Sequence, residues 1–180
     1  MSTITNAEAA LLGLLSEKER HPYDIEQQVK NRDMRYWTDL SMSSIYKLLA
    51  KLEQVGLVAS TTTITAENRT RRIYNLTEDG EEVLRGKLRE LLSEPEHLKW
   101  RLDIAISNLT LLPNSEIIEL LHQYKTELDK LISGYKNLEQ YLKDENCPTY
   151  RLALARRPQA LLTGELKWVQ QYLKELEDQD

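Results

Sequence analysis

The chain has 180 residues, 41% of them hydrophobic, which is enough for one large or two small domains with their own cores. Its net charge of −5 excludes general adhesion to nucleic acids, so any such affinity must come from a local basic patch. The single cysteine, Cys147, excludes an internal disulfide, and three scattered histidines predict no metal site.

Compartment signals in the sequence favour the cytoplasm. A lone cysteine suits a reducing compartment. No Lys or Arg precedes Lys18, whereas a signal peptide begins with a basic region. The longest uncharged stretch, Gln54–Ala66, is too short and too polar to cross a bilayer. We therefore expect a soluble cytoplasmic protein without membrane contacts.

The first two helices are predicted from the residues at their starts. Thr5 followed by Glu8 forms the pattern of a capping box, and Ala9, Leu12 and Leu15 then supply an apolar stripe. Pro22 predicts the first turn of a second helix that ends near residues 31–33. The side chains expected to pack inward from it are Tyr23, Ile25 and Val29.

A third helix follows, with Ser41 or Ser43 as its cap and Gly56 as its stop. Its apolar stripe has helical spacing and consists of Ile45, Leu48, Leu49 and Leu52. The stripe faces the core and leaves the other side of the helix to a second surface. We expect that surface to carry Ser43, Ser44, Tyr46, Lys47 and Lys51.

A hairpin and a fourth helix complete the first half. Val58–Thr65 is rich in β-branched residues, Ala66–Arg69 is a polar turn, and Thr70–Leu76 alternates. In the second strand, Arg72, Tyr74 and Leu76 are expected to share one face. Thr77 is expected to cap the fourth helix, which extends to about Leu92.

This order of elements is the layout of a winged helix-turn-helix, which we place at residues 1–92. A helix that reads DNA presents short polar and basic side chains at its N-terminal half, as Ser43, Ser44 and Lys47 do here. The alternative is that they form the solvated face of an amphipathic helix. The hairpin favours DNA, because Arg69, Arg71 and Arg72 cluster where phosphates would lie.

Local charge supports the same interpretation. Residues 30–75 contain eight basic and four acidic side chains, within a chain whose net charge is negative. The excess of positive charge therefore coincides with the predicted reading helix and hairpin. Double-stranded DNA is the expected partner.

The second half, residues 93–180, is predicted to be all helical, with Pro95, Pro113 and Pro148 separating three segments. The middle segment has a 3.5-residue seam at Ile117, Leu121, Tyr124, Leu128, Leu131, Tyr135, Leu138 and Leu142. The last segment repeats it at Leu162, Leu166, Val169, Leu173 and Leu176. Pro158 predicts that this last helix kinks or starts late.

The two seams are expected to pack against each other, and additional apolar residues at 120, 132 and 168 predict a second contact surface. We interpret that surface as a homodimer interface, since a helix-turn-helix reader commonly covers two half-sites. The alternative is a monomeric helical hairpin. The residues assigned to dimerisation are Leu121, Tyr124, Leu128, Leu131, Tyr135, Leu166, Trp168, Val169 and Leu173.

Trp37, Trp100 and Trp168 are interpreted as core and interface aromatics, with an aromatic ligand pocket as the alternative. Enzyme chemistry has no support in the sequence. It contains no glycine-rich phosphate loop, no nucleophile elbow and no paired histidines at helical spacing. We therefore expect no catalytic activity and no cofactor.

Several short motifs resemble the PadR family of transcriptional regulators. They are Tyr23-Asp24-Ile25, Trp37, Ser44-Ile45-Tyr46 leading to Glu53 and Gly56, and Arg72-Ile73-Tyr74-Asn75-Leu76-Thr77 with Gly80. The resemblance implies a homodimer that represses transcription from a short palindromic operator. It also implies a small-molecule effector, phenolic or other, in some members.

Carried over to this sequence, the resemblance implies DNA contacts by Ser43, Ser44, Tyr46 and Lys47 of the third helix. It also implies contacts by the arginines of the hairpin, which forms the wing: Arg69, Arg71 and Arg72. The competing hypothesis is that the winged helix is a protein-interaction module without direct DNA binding. The basic wing argues against that alternative.

Overall fold

The computed structural model describes residues 4–64, 70–97 and 99–178, and it divides the chain into two compact units, Met1–His97 and Leu98–Asp180. Within the described residues, the first unit contains α1 (Asn6–Glu17), α2 (Pro22–Asn31), a 3₁₀ turn (Met34–Tyr36), α3 (Met42–Gln54), β1 (Val58–Ile64), β2 (Thr70–Leu76) and α4 (Glu78–Ser93). The second contains α5 (Arg101–Ile106), a 3₁₀ turn (Leu109–Leu111), α6 (Asn114–Asp144) and α7 (Thr149–Glu177). The predicted fold class, mainly helical with a two-stranded hairpin, is confirmed.

Side-chain caps begin the first three helices. The predicted capping box is present in α1, where the Thr5 hydroxyl accepts the Glu8 N–H at 3.2 Å and the Glu8 carboxylate accepts the Thr5 N–H at 2.7 Å. Ser41, the first of the two predicted candidates, caps α3. The cap of α2 is His21, whose role the sequence did not suggest.

The core of the first unit forms where α1, α2 and α3 pack against the base of the hairpin and α4. Its fully buried side chains include Leu11, Leu12, Ile25, Val29, Ile45, Leu49 and Leu52. Tyr23 was expected to pack inward, but it is 56% exposed. At about 100° per residue, Tyr23 lies on the opposite side of α2 from Ile25, so it cannot share the buried face.

The end of α3 turns the chain sharply into the hairpin. Gly56 has the left-handed conformation (φ 78°), and its N–H reaches the Glu53 carbonyl at 3.0 Å. The next N–H, of Leu57, reaches back to the Leu52 carbonyl at 2.9 Å. These two bonds form a Schellman motif, which requires a left-handed residue at position 56. Glycine adopts this conformation without steric strain because it has no Cβ.

The hairpin is held to the helices by its backbone. Strands β1 and β2 are antiparallel, with Val58 opposite Leu76 at the base and Ile64 opposite Thr70 at the outer end. Arg20 extends this sheet, because it exchanges two backbone hydrogen bonds of 2.9 Å with Tyr74. The predicted turn at Ala66–Arg69 lies outside the described residues.

In the second unit, α6 and α7 form an antiparallel pair. Contacts run in opposite senses along the two helices: Asn114 lies beside Leu176, and the Tyr124 hydroxyl lies 3.2 Å from Glu165. The shared core consists of Ile117, Leu121, Leu128, Val169, Leu173 and Leu176. The predicted contact between the two apolar seams is therefore confirmed for these residues.

The seam of α6 departs from the prediction beyond Leu128. Leu131 and Leu138 are 52% and 40% exposed, whereas Ile132, predicted for the second surface, is 7% exposed. A straight helix has 3.6 residues per turn and drifts by about 20° per heptad from a 3.5-residue repeat. The inward face therefore moves from position 131 to position 132.

Pro158 does not delay the last helix, which begins at Thr149 and continues past the proline to Glu177. Beside it, the Gln159 amide donates to the Tyr135 carbonyl of α6 at 3.2 Å. Across the described part of the chain, no helix combines the length and the apolar character needed to cross a membrane.

The close approach of α4 to the start of β1 generates a first prediction. A Cβ on Gly80 would lie 2.0 Å from the Leu57 carbonyl oxygen, so Gly80→Ala must displace α4. We expect the free energy of unfolding to fall by about 1–3 kcal/mol, measured by urea denaturation. The control is Gly86→Ala, also in α4, whose Cβ meets nothing within 4 Å and which should be neutral or stabilising. Equal effects of the two changes would contradict the close contact.

Contacts of Glu139 with both helices generate a second prediction. Hydrogen bonds from Lys143, then Arg156 and Gln159, lower the pKa of Glu139 from an ordinary 4.5 to about 2. Because the folded-state pKa is the lower one, this stabilisation is complete above about pH 4.5 and is lost as the pH falls towards 2.

Glu139→Gln should therefore reduce the loss of stability between pH 5 and about pH 2, measured by thermal denaturation at each pH. The control is Glu127→Gln, because the Glu127 carboxylate lies 2.6 Å from Lys130 of its own helix and bridges nothing between the helices. A pH profile for Glu139→Gln that overlays the wild-type profile would refute the role of this carboxylate.

Candidate nucleic-acid interface

The outward face of α3 is set by the residues that the helix buries. Ile45, Leu49 and Leu52 have at most 1% of their surface exposed, which fixes the rotation of the helix about its axis. Its opposite side turns Ser43, Tyr46 and Lys47 to solvent, with Tyr46 49% exposed. The N-terminal half of α3 therefore presents one hydroxyl, one phenol and one ammonium on a single convex face.

Ser44, also assigned to this face, takes part in the cap of α3. Its hydroxyl accepts the Ser41 N–H at 2.7 Å and donates to the Ser41 carbonyl at 2.9 Å. The Ser43 hydroxyl lies 3.2 Å from the Ser41 hydroxyl at the edge of the same cluster. Ser44 is half-buried, and its hydrogen bonds hold the helix terminus that displays Ser43.

Lys51 lies on the same helix but points its ammonium at a buried carboxylate. Its Nζ is 2.7 Å from Oε1 of Glu8 in α1, a residue only 2% exposed. Burial is the largest influence on the pKa of Glu8 and raises it, but contacts with Lys51 and Thr5 together outweigh it and lower the pKa. Lys51 thus joins α3 to α1.

The wing arginines differ in direction. Side chains of a strand alternate between its faces, so Arg71 and Arg72 point to opposite sides of the hairpin. Arg72 shares its face with buried Tyr74 and half-buried Leu76, as predicted, whereas Arg71 is exposed on the other face. Arg69 lies outside the described residues.

Arg72 is held by several partners at once. Its Nη2 lies 2.8 Å from both carboxylate oxygens of Glu53 on α3, and its Nε donates to the Ser60 hydroxyl at 2.8 Å. The Ser60 hydroxyl in turn donates to Glu53 at 2.6 Å. The guanidinium lies over the Tyr74 ring, 5.4 Å from its centre, within the range of a cation–π contact.

These ion pairs reduce the positive charge available to a ligand. Arg35 is paired with Glu26 of α2 at 2.7 Å, as Lys51 is with Glu8 and Arg72 with Glu53. Among the described residues, Lys47 and Arg71 form no ion pair. Because a charge without an internal partner can exchange its counterions for phosphate, these two cations are the strongest candidates for ligand contacts.

The carboxylates that complete these pairs were not predicted as functional residues. Glu53 carried a signal in the sequence, since an acidic side chain near the C-terminal end of a helix is unfavourable without a cation from elsewhere. Glu8 was recognised only as half of a capping box. Its second role depends on the packing of α1 against α3, for which no local pattern exists.

Residues assigned to dimerisation fall into three groups by exposure. Leu121, Leu128, Val169 and Leu173 are buried between α6 and α7 of one chain. The half-buried group consists of Tyr124, Tyr135 and Leu166. Leu131 and Trp168 are exposed, and Trp168 stacks on Tyr172 with ring centres 5.3 Å apart.

None of the three tryptophans is a core residue, since Trp37, Trp100 and Trp168 are 55%, 51% and 38% exposed. The second unit instead contains an apolar cavity of about 210 Å³. It is lined by Leu102, Ala105, Ile106, Leu109, Leu112, Ile117, Leu120, Leu121, Tyr124 and Tyr172. Burial, followed by the neighbouring Glu165 carboxylate, raises the pKa of Tyr124.

Known proteins share both the sequence pattern and the fold. Residues 11–86 match the model described as the transcriptional regulator PadR-like family. One relative, the negative transcriptional regulator PadR of Bacillus subtilis (strain 168), is 29% identical over 133 residues, which are 72% of each chain.

Two solved structures resemble the chain over nearly its whole length. Bacillus subtilis PadR in complex with operator DNA has a TM-score of 0.76 at 21% identity, covering 94% of this chain and 98% of that one. Bacillus subtilis PadR in complex with p-coumaric acid has a TM-score of 0.75 at 19% identity, covering 94% of each chain. At these identities the structures establish the fold, which is that of PadR in both units. Residues 11–86 thus match the PadR-like family of transcriptional regulators, and the aligned relative from Bacillus subtilis extends the similarity to 72% of this chain.

Proposed function

We propose that this protein is a homodimeric repressor that binds double-stranded DNA at a palindromic operator in the cytoplasm. DNA binding is assigned to residues 1–92 and dimerisation to residues 93–180. The observation that carries the proposal is the exposed N-terminal half of α3 next to a hairpin whose Arg71 points to solvent. Repression is supported by the relative from Bacillus subtilis, which is named a negative regulator.

The proposed contacts follow the exposed polar groups. Ser43, Tyr46 and Lys47 are placed to meet base edges and phosphates in a major groove, with Ser44 at the helix terminus that presents them. Arg69 and Arg71 of the wing are assigned to phosphates or the neighbouring minor groove. Lys51 and Arg72 lie at the same interface, but Lys51 is paired with Glu8 of α1 and Arg72 with Glu53 of α3. We therefore assign these two residues a structural role in the interface.

The second unit supplies the proposed dimer contact. Exposed Leu131 and Trp168, with Leu120, are the apolar groups that a partner chain would cover. The buried and half-buried members of the assigned set hold α6 against α7 and so shape this surface. A two-fold axis would then separate the two reading helices by about 34 Å, or a small multiple, and require inverted half-sites.

A small molecule is proposed to release the operator. Bacillus subtilis PadR has been solved with p-coumaric acid, and the apolar cavity of about 210 Å³ in the second unit is a candidate site for an aromatic or other apolar effector. The alternative to the whole proposal is a protein-interaction module, in which Lys47 and Arg71 would serve an acidic protein surface instead of phosphates.

Binding to DNA is expected to depend on salt through Lys47 and Arg71. Wild-type protein incubated with sheared genomic DNA from its source should enrich a palindrome, and its affinity should fall steeply as salt rises. Lys47→Ala and Arg71→Ala should each weaken binding and reduce the slope of log K against log salt by about 1, measured by fluorescence anisotropy.

The matched control is Lys136→Ala, which removes an exposed cation from α6 and should change neither affinity nor slope. Folded, dimeric protein that enriches no fragment, with or without p-coumaric acid, would refute DNA binding and favour the interaction module. If neither Lys47→Ala nor Arg71→Ala changed the salt slope, the assigned DNA contacts would be wrong.

Substitutions of two leucines in α6 are expected to affect dimerisation and stability differently. Leu131 is 52% exposed, so Leu131→Lys should leave the helical content and melting temperature near wild type while shifting the protein towards monomer. Leu128 is 3% exposed, so Leu128→Lys should lower the melting temperature itself. Sedimentation equilibrium and circular dichroism distinguish the two outcomes. Ser133→Lys, an added charge at another exposed site of α6, is the control; a fully dimeric Leu131→Lys variant would remove Leu131 from the interface.

A further inference from the structure

Arg71 and Arg72 are identical in chemistry and adjacent in sequence, yet their surroundings differ. Arg71 points away from α3 and has no ion pair among the described residues. Arg72 points to α3 and binds both oxygens of the Glu53 carboxylate at 2.8 Å. One of the two is therefore placed to serve a ligand, while the other is already committed to the protein.

The partners of Arg72 come from three elements. Glu53 lies in the last turn of α3, Ser60 in β1 and Tyr74 in β2, the strand of Arg72 itself. Because Ser60 belongs to the wing itself, its bond from Arg72 holds the rigid, planar guanidinium in one orientation within the hairpin. The bonds from the same guanidinium to Glu53 then join the wing to α3. The hydrogen bond from Ser60 to Glu53 closes the network at 2.6 Å.

Transfer of Arg72 to a DNA phosphate would be unfavourable. It would break three hydrogen bonds and leave the Glu53 carboxylate, 26% exposed, unpaired beside a polyanion. The carboxylate also lies at the negative end of the α3 dipole, where an acidic side chain without a cation is destabilising. Both effects favour retention of the Arg72–Glu53 pair when DNA is present.

We propose that Arg72 is a positioning residue, which with Glu53 and Ser60 sets the wing against the reading helix and thereby places Arg71 relative to Lys47. This inference rests on the proposed DNA-binding function. Without the network, the wing would sample more orientations, and Arg71 would lose part of its preorganised contact.

Glu53→Gln separates this role from a direct phosphate contact, because the two roles predict opposite signs. If Arg72 positions the wing, Glu53→Gln should weaken binding to the recovered operator by about tenfold without changing the salt slope. If Arg72 contacts phosphate, removal of a nearby negative charge should leave binding unchanged or make it tighter. An unchanged or tighter complex would overturn the proposal.

Arg72→Lys is the conservative variant and guards against a misfolded Glu53→Gln protein. A lysine keeps the charge but loses the fork, so positioning predicts a loss similar to that of Glu53→Gln. The double variant should then bind no more weakly than either single variant, because both changes remove the same network. Near-wild-type binding by Arg72→Lys would identify a simple charge contact. Arg71→Ala is the matched control, since it should lower the salt slope.

Amide hydrogen exchange in the absence of DNA keeps the inference independent of the proposed function. Exchange in β1 and β2 should be faster in Glu53→Gln and Arg72→Lys than in wild type, and unchanged in Arg71→Ala. If the wild-type protein bound no DNA but the two network variants still exchanged faster than wild type, the positioning network would be supported and the proposed function would fail. Unchanged exchange in both network variants would overturn the network itself.

Discussion

Burial of one stripe of α3 is the constraint on which the rest of the first unit depends. Ile45, Leu49 and Leu52 are almost completely excluded from water, and each such side chain contributes roughly 1.5–3 kcal/mol. A rotation of α3 by one residue, about 100°, would expose this stripe and bury Lys47. The face offered to a ligand is therefore determined by the core, and no residue on that face has to specify it.

Carboxylates at the edges of this face form ion pairs with some of its basic side chains, so that the positive charge left for a ligand is confined to a few positions. Glu8 engages Lys51, Glu26 engages Arg35, and Glu53 engages Arg72. Each pair reduces the net positive charge, but each also connects α3, its preceding loop or the wing to a neighbouring element. The charges left without partners in the described residues are then held on a rigid frame, which suits recognition of a rigid, periodic polyanion.

Local signals predicted most of the fold because the features concerned are local. Caps such as Thr5 and Ser41, the left-handed stop at Gly56 and the strand alternation in the hairpin all depend on residues within a few positions of one another. The predictions failed where small differences in helix geometry accumulate or where a partner distant in sequence decides. Along α6, the drift of a straight helix away from a 3.5-residue repeat places Ile132 against α7 in place of Leu131. The last helix begins at Thr149 and continues past Pro158, so the proline does not delay its start.

The candidate site illustrates why residue type alone does not assign a role. Lys51 and Arg72 have the chemistry of DNA contacts, and a count of basic residues includes them, but a count contains no direction. The direction of Arg72 was nevertheless contained in the strand pattern, which places it on the face of Tyr74 and Leu76 and therefore towards the core. The contact of Arg72 with the Glu53 carboxylate could not be predicted from a local pattern, because α3 and the wing come together only in the folded chain. Alternation in a strand separates arginines that face a ligand from those that face the protein, provided that the buried face is identified first.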